Sequence, residues 1–227
     1  MQNLYTSEQT NTRPVEINKV LRNTYSLLAM TLVVSAMAAG ASMAIGIGRM
    51  PALMMSLAGI GLLWFVLPRT ANSGKGLAVV FAFVALMGAS LGPMLTYYVA
   101  LPNGSVMVMQ ALGSTALIFF ALSGYVLTTG KDFSFMGGFL MTGLIVAIVS
   151  MLGVFVAGFF GIQVTGFMLA INAVIVLLMS GFILYDTSRI INGGETNYLM
   201  ATVSLYLNIL NLFTSLLHLI GAFSGDD

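Results

Sequence analysis

Between Asn23 and Phe223 the chain is a succession of apolar runs too long and too poor in charge to be core helices of a water-soluble protein. They lie at Asn23–Ile47, Pro51–Leu67, Leu77–Tyr98, Val106–Thr128, Phe135–Phe160, Phe167–Ile190 and Tyr198–Phe223. A helix crosses a hydrocarbon core of about 30 Å with roughly 20 apolar residues, and the shortest crossings use roughly 17. Each run meets that length. Inside lipid a helix also satisfies its own backbone N–H and C=O groups, which no water is present to do. Only 7% of residues are charged, against about 25% in ordinary soluble domains. The expected fold is therefore an all-α membrane protein with seven transmembrane helices in a single bundle. It occupies residues 22–227 as one domain, behind a polar tail, Met1 to Leu21, that carries too little apolar surface to fold alone.

Several local features refine that outline. Ala36, Gly40, Ala44 and Gly48 recur at every fourth position of the first span, and Gly88 and Gly92 repeat the spacing in the third, so both helices are expected to let a neighbouring backbone approach closely. Pro93 predicts a kink in the third span. An Ala-x-Ala at Ala36–Ala38 imitates a signal-peptidase site, but the leader before it is long and hydrophilic and the apolar sequence continues beyond, so it reads as part of a span. Seven basic residues, Arg13, Lys19, Arg22, Arg69, Lys75, Lys131 and Arg189, fall on one side of such a bundle, and Arg49 falls on the other. The positive-inside rule then places the N-terminus in the cytoplasm and, after an odd number of crossings, the C-terminus in the periplasm.

The stretch from Ile183 to Gly221 holds the one acid inside an apolar run, Asp186, and the sole histidine, His218. Read as a helix, its second half sets Ser204, Asn208, Asn211, Ser215 and His218 at steps of four, three, four and three, on one narrow face. A helix apolar on its other faces is expected to turn such a seam toward protein or a wet cavity. A charged Asp at a helix centre costs about 2.5–3.5 kcal/mol on insertion scales and less toward the ends, so Asp186 calls for a partner or water. Arg69, at the end of the second span, and Arg189, one turn along, are the cations in reach. Asp186 then reads either as half of a gate or proton-sensitive pair, or as a carboxylate snorkelling at a helix end. His218 is expected to hydrogen-bond a neighbouring helix.

Other chemistry is excluded by what the residues lack. With no cysteine there is no disulfide or thiolate site, and one histidine cannot build a multi-histidine metal centre. Gly40-Ala-Ser42 lacks the glycine that would complete a nucleophilic-serine motif, and Gly88-Ala-Ser-Leu-Gly92, which has the letters of one, is weak evidence in a Gly- and Ser-rich membrane chain. No zinc motif or phosphate loop occurs, and a net charge of +1 without a basic run offers nothing to nucleic acid. No enzymatic activity, cofactor or resident metal is expected, and the lipid bilayer is the first partner.

Longer runs of residues carry a resemblance. Asn18-Lys-Val-Leu-Arg-Asn-Thr-Tyr-Ser-Leu-Leu28, Gly113-Ser-Thr-Ala-Leu-Ile-Phe-Phe120, Tyr125-Val-Leu-Thr-Thr129, Lys131-Asp-Phe-Ser-Phe-Met-Gly-Gly138, and Gly193-Gly-Glu-Thr-Asn-Tyr198 followed by Ala201-Thr-Val-Ser-Leu-Tyr206 resemble the Bax inhibitor-1 family. Within it they look closest to bacterial inner-membrane members that modulate the FtsH protease. The resemblance implies a seven-helix bundle and, as in several members, a pH-sensitive calcium leak governed by two buried aspartates on helices six and seven. Asp186 matches the first, whereas Asn208 stands where leak members carry the second. Two close carboxylates share a proton and titrate as a pair, while an Asp beside a neutral amide titrates alone and offers a hard dication half the charge. A hydrogen bond between Asp186 and Asn208 is the pairing this substitution leaves open.

The resemblance also implies a partner. Proteases of the FtsH type are membrane-anchored, ATP-driven and zinc-dependent, and they work from the cytoplasmic side on chains with an accessible flexible end. The tail, with Met1, Glu8, Arg13, Glu16 and Lys19, would be such an end. The expectation is a multi-pass inner-membrane substrate and inhibitor of FtsH, within reach of the HflK and HflC scaffold. The alternative is a calcium or cation leak channel with Asp186 as its gate residue.

Overall fold

The computed structural model describes residues 8–162 and 164–224, with side chains described from residue 17 onward. Helices occupy the apolar runs, and no strand occurs among the described residues. They are α1 (Glu8–Ile45), α2 (Arg49–Gly61), α3 (Leu67–Thr70), α4 (Lys75–Ser90), α5 (Gly92–Val99), α6 (Gly104–Thr129), α7 (Gly137–Phe159), α8 (Thr165–Ile191) and α9 (Tyr198–Ser224). They form seven segments long and apolar enough to cross a membrane: Ile17–Ile45, Arg49–Thr70, Lys75–Val99, Gly104–Thr129, Ser134–Phe159, Thr165–Ile191 and Tyr198–Ser224.

Two of these segments are interrupted, each beside a proline. α2 reaches α3 through a π-helical turn at Leu62–Val66. Pro68 has no N–H for the carbonyl four residues back, and its ring would press on that carbonyl; a widened turn before it relieves both. α4 and α5 part at Leu91, whose amide bonds Gly88 O at 3.0 Å, and the ladder resumes when Leu95 donates to Leu91 O at 2.9 Å. That is the break Pro93 predicts.

The N-terminal boundary differs from the sequence reading. A flexible tail is expected through Leu21, but the backbone is helical from Glu8, and Arg13 and Glu16 fall on that helix. Residues 1–7, Met1 among them, lie outside the described residues. Ile17, Val20, Leu21 and Thr24 continue the apolar face of the span upstream at helical spacing, and the interleaved Asn18, Lys19 and Arg22 conceal it.

The chain divides into two compact units where the sequence predicts one domain over residues 22–227. One comprises Met1–Tyr97 with Arg189–Tyr206, the other Tyr98–Ser188 with Leu207–Asp227. In the first, α4 packs on both α1 and α2. The buried face of α1 is Thr24, Leu27, Leu28, Thr31, Ser35, Ala39 and Ser42. A Cβ at Gly88 would strike the Ser35 backbone carbonyl, and one at Gly92 would strike the Ser42 hydroxyl. The close approach expected of Gly88 and Gly92 is therefore real. The stripe on α1 shows no such approach among the described residues: Ala36, Gly40 and Ala44 are exposed, and Gly40 faces open space. Two stripes of small residues run along α1, and the one carrying hydroxyls faces the glycines. Tyr206 of α9 is fully buried in this unit, its hydroxyl 2.8 Å from Ser35 Oγ and its ring edge-on to Phe83 at 5.7 Å.

In the second unit glycines again seat neighbouring side chains. Gly137 and Gly143 of α7 lie against Tyr185 and Leu178 of α8, Gly181 of α8 against Leu140, and Gly221 of α9 against Tyr98. α7 is otherwise outward-facing: its span is 11% buried, against 50% for that of α9.

Gly88→Ala should lower stability by about 1–3 kcal/mol through overpacking against a backbone that cannot yield, whereas Gly40→Ala should be neutral or slightly stabilising. Thermal unfolding of both variants in the same nanodisc checks this. Equal shifts would mean that α1 and α4 are not in close contact.

Candidate functional site

Asp186 lies near the C-terminal end of α8 in the second unit and is half-buried. Asn208, on the α9 portion of the same unit and 6% exposed, donates its Nδ2–H to Asp186 Oδ2 at 2.7 Å. Asn208 is thereby a neutral donor to the one acid inside a span.

The α8 residues that follow Asp186 are fixed by a second set of bonds. Thr187 and Ser188 are fully buried. Thr187 Oγ1 lies 3.4 Å from Ser123 Oγ of α6. Ser188 Oγ accepts the Phe133 N–H at 2.8 Å and donates to Asp132 Oδ1 at 3.1 Å. Asp132 Oδ1 also accepts the Ser134 N–H at 2.8 Å, which opens a 3₁₀ turn at Ser134–Met136 leading into α7. The connection after α6 is thus clasped to α8 two residues from Asp186. Hydrogen bonds from the Ser134 side chain and amide hold the Asp132 carboxyl below its ordinary range against an opposing desolvation, with a lesser contribution from the Ser188 hydroxyl. Next to it Lys131 Nζ donates to Tyr125 Oη at 2.9 Å, which raises the pKa of the ammonium.

The structure brings together only part of what the sequence singles out. Arg69 and Arg189 belong to the first unit, where Arg69 Nη1 donates to Phe65 O at 2.6 Å, and Arg189 Nη2 donates to Gly194 O at 3.0 Å and pairs with Glu195 at 3.6 Å. The α9 seam is not one continuous polar face. Ser204 is half-buried in the first unit; in the second, Asn208 and Ser215 are buried, His218 is half-buried and Asn211 is exposed. Asn211 Nδ2 donates to its own helix at Leu207 O, 2.8 Å away. His218 was expected to bond a neighbouring helix; instead Nδ1 pairs with Thr214 O of α9 at 2.7 Å, while its ring meets Tyr98 edge-on at 5.8 Å. The step pattern aligns these side chains, but a carbonyl one turn back lies within reach of each short polar group and competes with any partner.

Residues not singled out from the sequence also shape this end of the chain. Asn197 Oδ1 accepts the Leu199 and Met200 N–H groups at 2.9 and 3.2 Å and so caps α9; its Nδ2 donates to Ala71 O and Asn72 Oδ1 at 3.1 and 2.9 Å. An Asn directly before an apolar run is a recognised helix-start signal. The Asp132–Ser188 bond spans 56 positions and has no local signal.

Chemically, the centre offers one carboxylate and one amide. Among the described residues no group of three or more His, Cys, Asp or Glu is placed to hold a metal ion. Asn208→Leu, which removes the donor from Asp186, should destabilise the protein by about 1–3 kcal/mol in a thermal-unfolding measurement; no change would show the bond to be dispensable. For Asp132 the folded pKa lies below its ordinary 3.8, so its contribution is complete above that pH and is lost as pH falls through the folded value. Asp132→Asn should therefore flatten the acid limb of the stability profile, and an unchanged limb would remove Asp132 from the clasp.

Comparison with known proteins finds relatives along the whole chain. The family described as inhibitor of apoptosis-promoting Bax1 matches residues 17–225. An uncharacterized membrane protein of Vibrio cholerae is 53% identical over 225 residues, covering 99% of this chain and 98% of the relative. The modulator of FtsH protease YccA of Escherichia coli K12 is 46% identical over 226 residues, covering 100% of each, and its counterpart in E. coli O6:H1 is called inner membrane protein YccA. With its seven membrane-spanning segments and this match, the chain belongs to the Bax inhibitor-1 family.

Proposed function

We propose that this protein is a multi-pass inner-membrane modulator of the FtsH protease, a substrate that also inhibits, acting by binding and not by catalysis. The observation that carries the reading is the end-to-end likeness, 46% over 226 residues, to the E. coli protein named for that role. The basic residues support a cytoplasmic N-terminus. The first residues then enter the protease, and the helices behind them resist extraction, because pulling α1 away opens the close contact at Gly88 and Gly92 and strands polar groups in hydrocarbon. The HflK and HflC scaffold would hold the encounter.

A calcium or cation leak gated by Asp186 is the competing reading. The bond from Asn208 weighs against it: a carboxylate beside a neutral amide has no second acid with which to share a proton, and it presents one anionic ligand to a cation that prefers several oxygens.

Deleting residues 2–16 leaves the span from Ile17 intact and tests the modulator reading. The expected result is a longer-lived chain and faster FtsH turnover of a second membrane substrate; unchanged values for both would remove the N-terminal segment from the mechanism. In proteoliposomes with calcium outside, the native chain should be silent on either side of neutral pH. Flux in the native chain, abolished by Asp186→Asn, would instead establish the leak.

A further inference from the structure

The first unit holds a cleft of about 450 Å³ between the Ile17–Asn23 stretch of α1, the end of α8 and the start of α9. Its walls include Ile17 of α1, Tyr198, the first residue of its span, and Ile190, the last but one of its span. The cleft therefore sits where one apolar span ends and the next begins. Ile17, Val20 and Ile190 make one wall apolar. Lys19, Asn23 and Thr196 supply an ammonium, an amide and a hydroxyl, and the side chains of these three make no hydrogen bond or ion pair with any described residue. Glu195 also lines the cleft, but Arg189 stands 3.6 Å from one of its oxygens and the Asn197 N–H bonds the other at 2.9 Å. With Glu195 balanced in this way, Lys19 leaves the cleft with a net positive charge.

We infer that this cleft binds an anionic phospholipid, with the headgroup phosphate taken by Lys19, Asn23 and Thr196 and an acyl chain lying along Ile17, Val20 and Ile190. The chemistry selects that ligand on three grounds. A phosphate accepts from all three donor types, and its bond to an ammonium is charge-assisted. A site half apolar and half polar at a span end matches a molecule built the same way. The volume suits a headgroup with the first part of its chains, within the range of small-molecule sites. A basic residue beside the membrane surface favours anionic over zwitterionic lipid by about fivefold. The bound lipid would join the Ile17–Asn23 stretch of α1 to the connection between α8 and α9, behind the segment that we propose enters the protease.

The test uses the full chain in nanodiscs of phosphatidylglycerol and phosphatidylethanolamine at equal mole fraction, with retained lipids counted by native mass spectrometry after release. The native protein should retain phosphatidylglycerol over phosphatidylethanolamine by about fivefold. Lys19→Gln and Thr196→Val should bring the ratio close to one, and Lys19→Arg should preserve it. Thermal unfolding of each variant in the same discs identifies any that fail to fold, and Lys19→Arg keeps the comparison valid if Lys19→Gln does. A native ratio near one, or an unaltered ratio in a folded Lys19→Gln variant, overturns the proposal. Displacement of the lipid by millimolar glycerol phosphate would overturn the lipid as source and assign the site to a soluble phosphate.

Discussion

In a hydrocarbon solvent an unmet hydrogen bond has no water to fall back on, and that constraint decides where most polar side chains of this protein turn, the buried hydroxyls of Thr24 and Ser42 excepted. Most turn inward on their own helix. Thr31 bonds Leu28 O, Thr115 bonds Ala111 O, Thr142 bonds Gly138 O, Asn172 bonds Met168 O and Ser180 bonds Val176 O, each three or four residues back. Such bonds satisfy the side chain without specifying a neighbour. Other bonds cross from helix to helix: Ser35 to Tyr206, Tyr206 to Val84 O and Thr202 to Thr24 O in the first unit, Asn208 to Asp186 and Ser123 to Thr187 in the second. Close packing through glycine brings the helices near enough for these bonds to form, and the bonds then select one register.

Span positions were legible because they depend on length and charge alone, two quantities that a neighbour cannot alter. Pro93 was legible for a related reason, since a missing N–H is a local fact. What a face meets is not local. Ala36, Gly40 and Ala44 have the spacing of a packing stripe, yet Thr31, Ser35, Ala39 and Ser42 have it too, and only the position of Gly88 and Gly92 on a helix far along the chain decides between them. The α9 seam shows the same limit. Its five residues align as their spacing requires, but burial varies along it, from Ser215 inside to Asn211 outside.

At the candidate site the residue pair could be named from the sequence because the family resemblance assigned both positions; spacing alone would have left Asn208 as one of several seam residues. The supporting clasp could not be named. Asp132 reads as a loop acid beside Lys131, and nothing near it indicates that Ser188, on another helix, is its partner. The effect is to hold the α8 turn that contains Asp186 from two sides, through Asn208 toward α9 and through Ser188 toward the α6–α7 connection. A carboxylate held this way has limited freedom to swing toward a passing cation, which suits a structural role for the pair better than a gating one.

The same physics bears on resistance to extraction. A protease that pulls from the N-terminus meets α1 first, and α1 is the helix whose buried face carries Thr24, Thr31, Ser35 and Ser42. Withdrawing it breaks the Ser35–Tyr206 bond and the one from Thr202 to Thr24 O, and leaves Gly88 and Gly92 facing an empty groove. Lipid chains fill a groove between glycines poorly; the Thr202 hydroxyl keeps Tyr198 O at 2.7 Å and the Tyr206 hydroxyl keeps only Val84 O at 3.4 Å, so the loss of the Ser35–Tyr206 bond is the larger polar cost, on the order of 1 kcal/mol. The cost falls on the first helix to move, before any later helix can follow. A substrate whose resistance is concentrated at the first step occupies the protease longest at that step, and so the packing of α1 against α4 is where a stable fold and inhibition of the protease would meet.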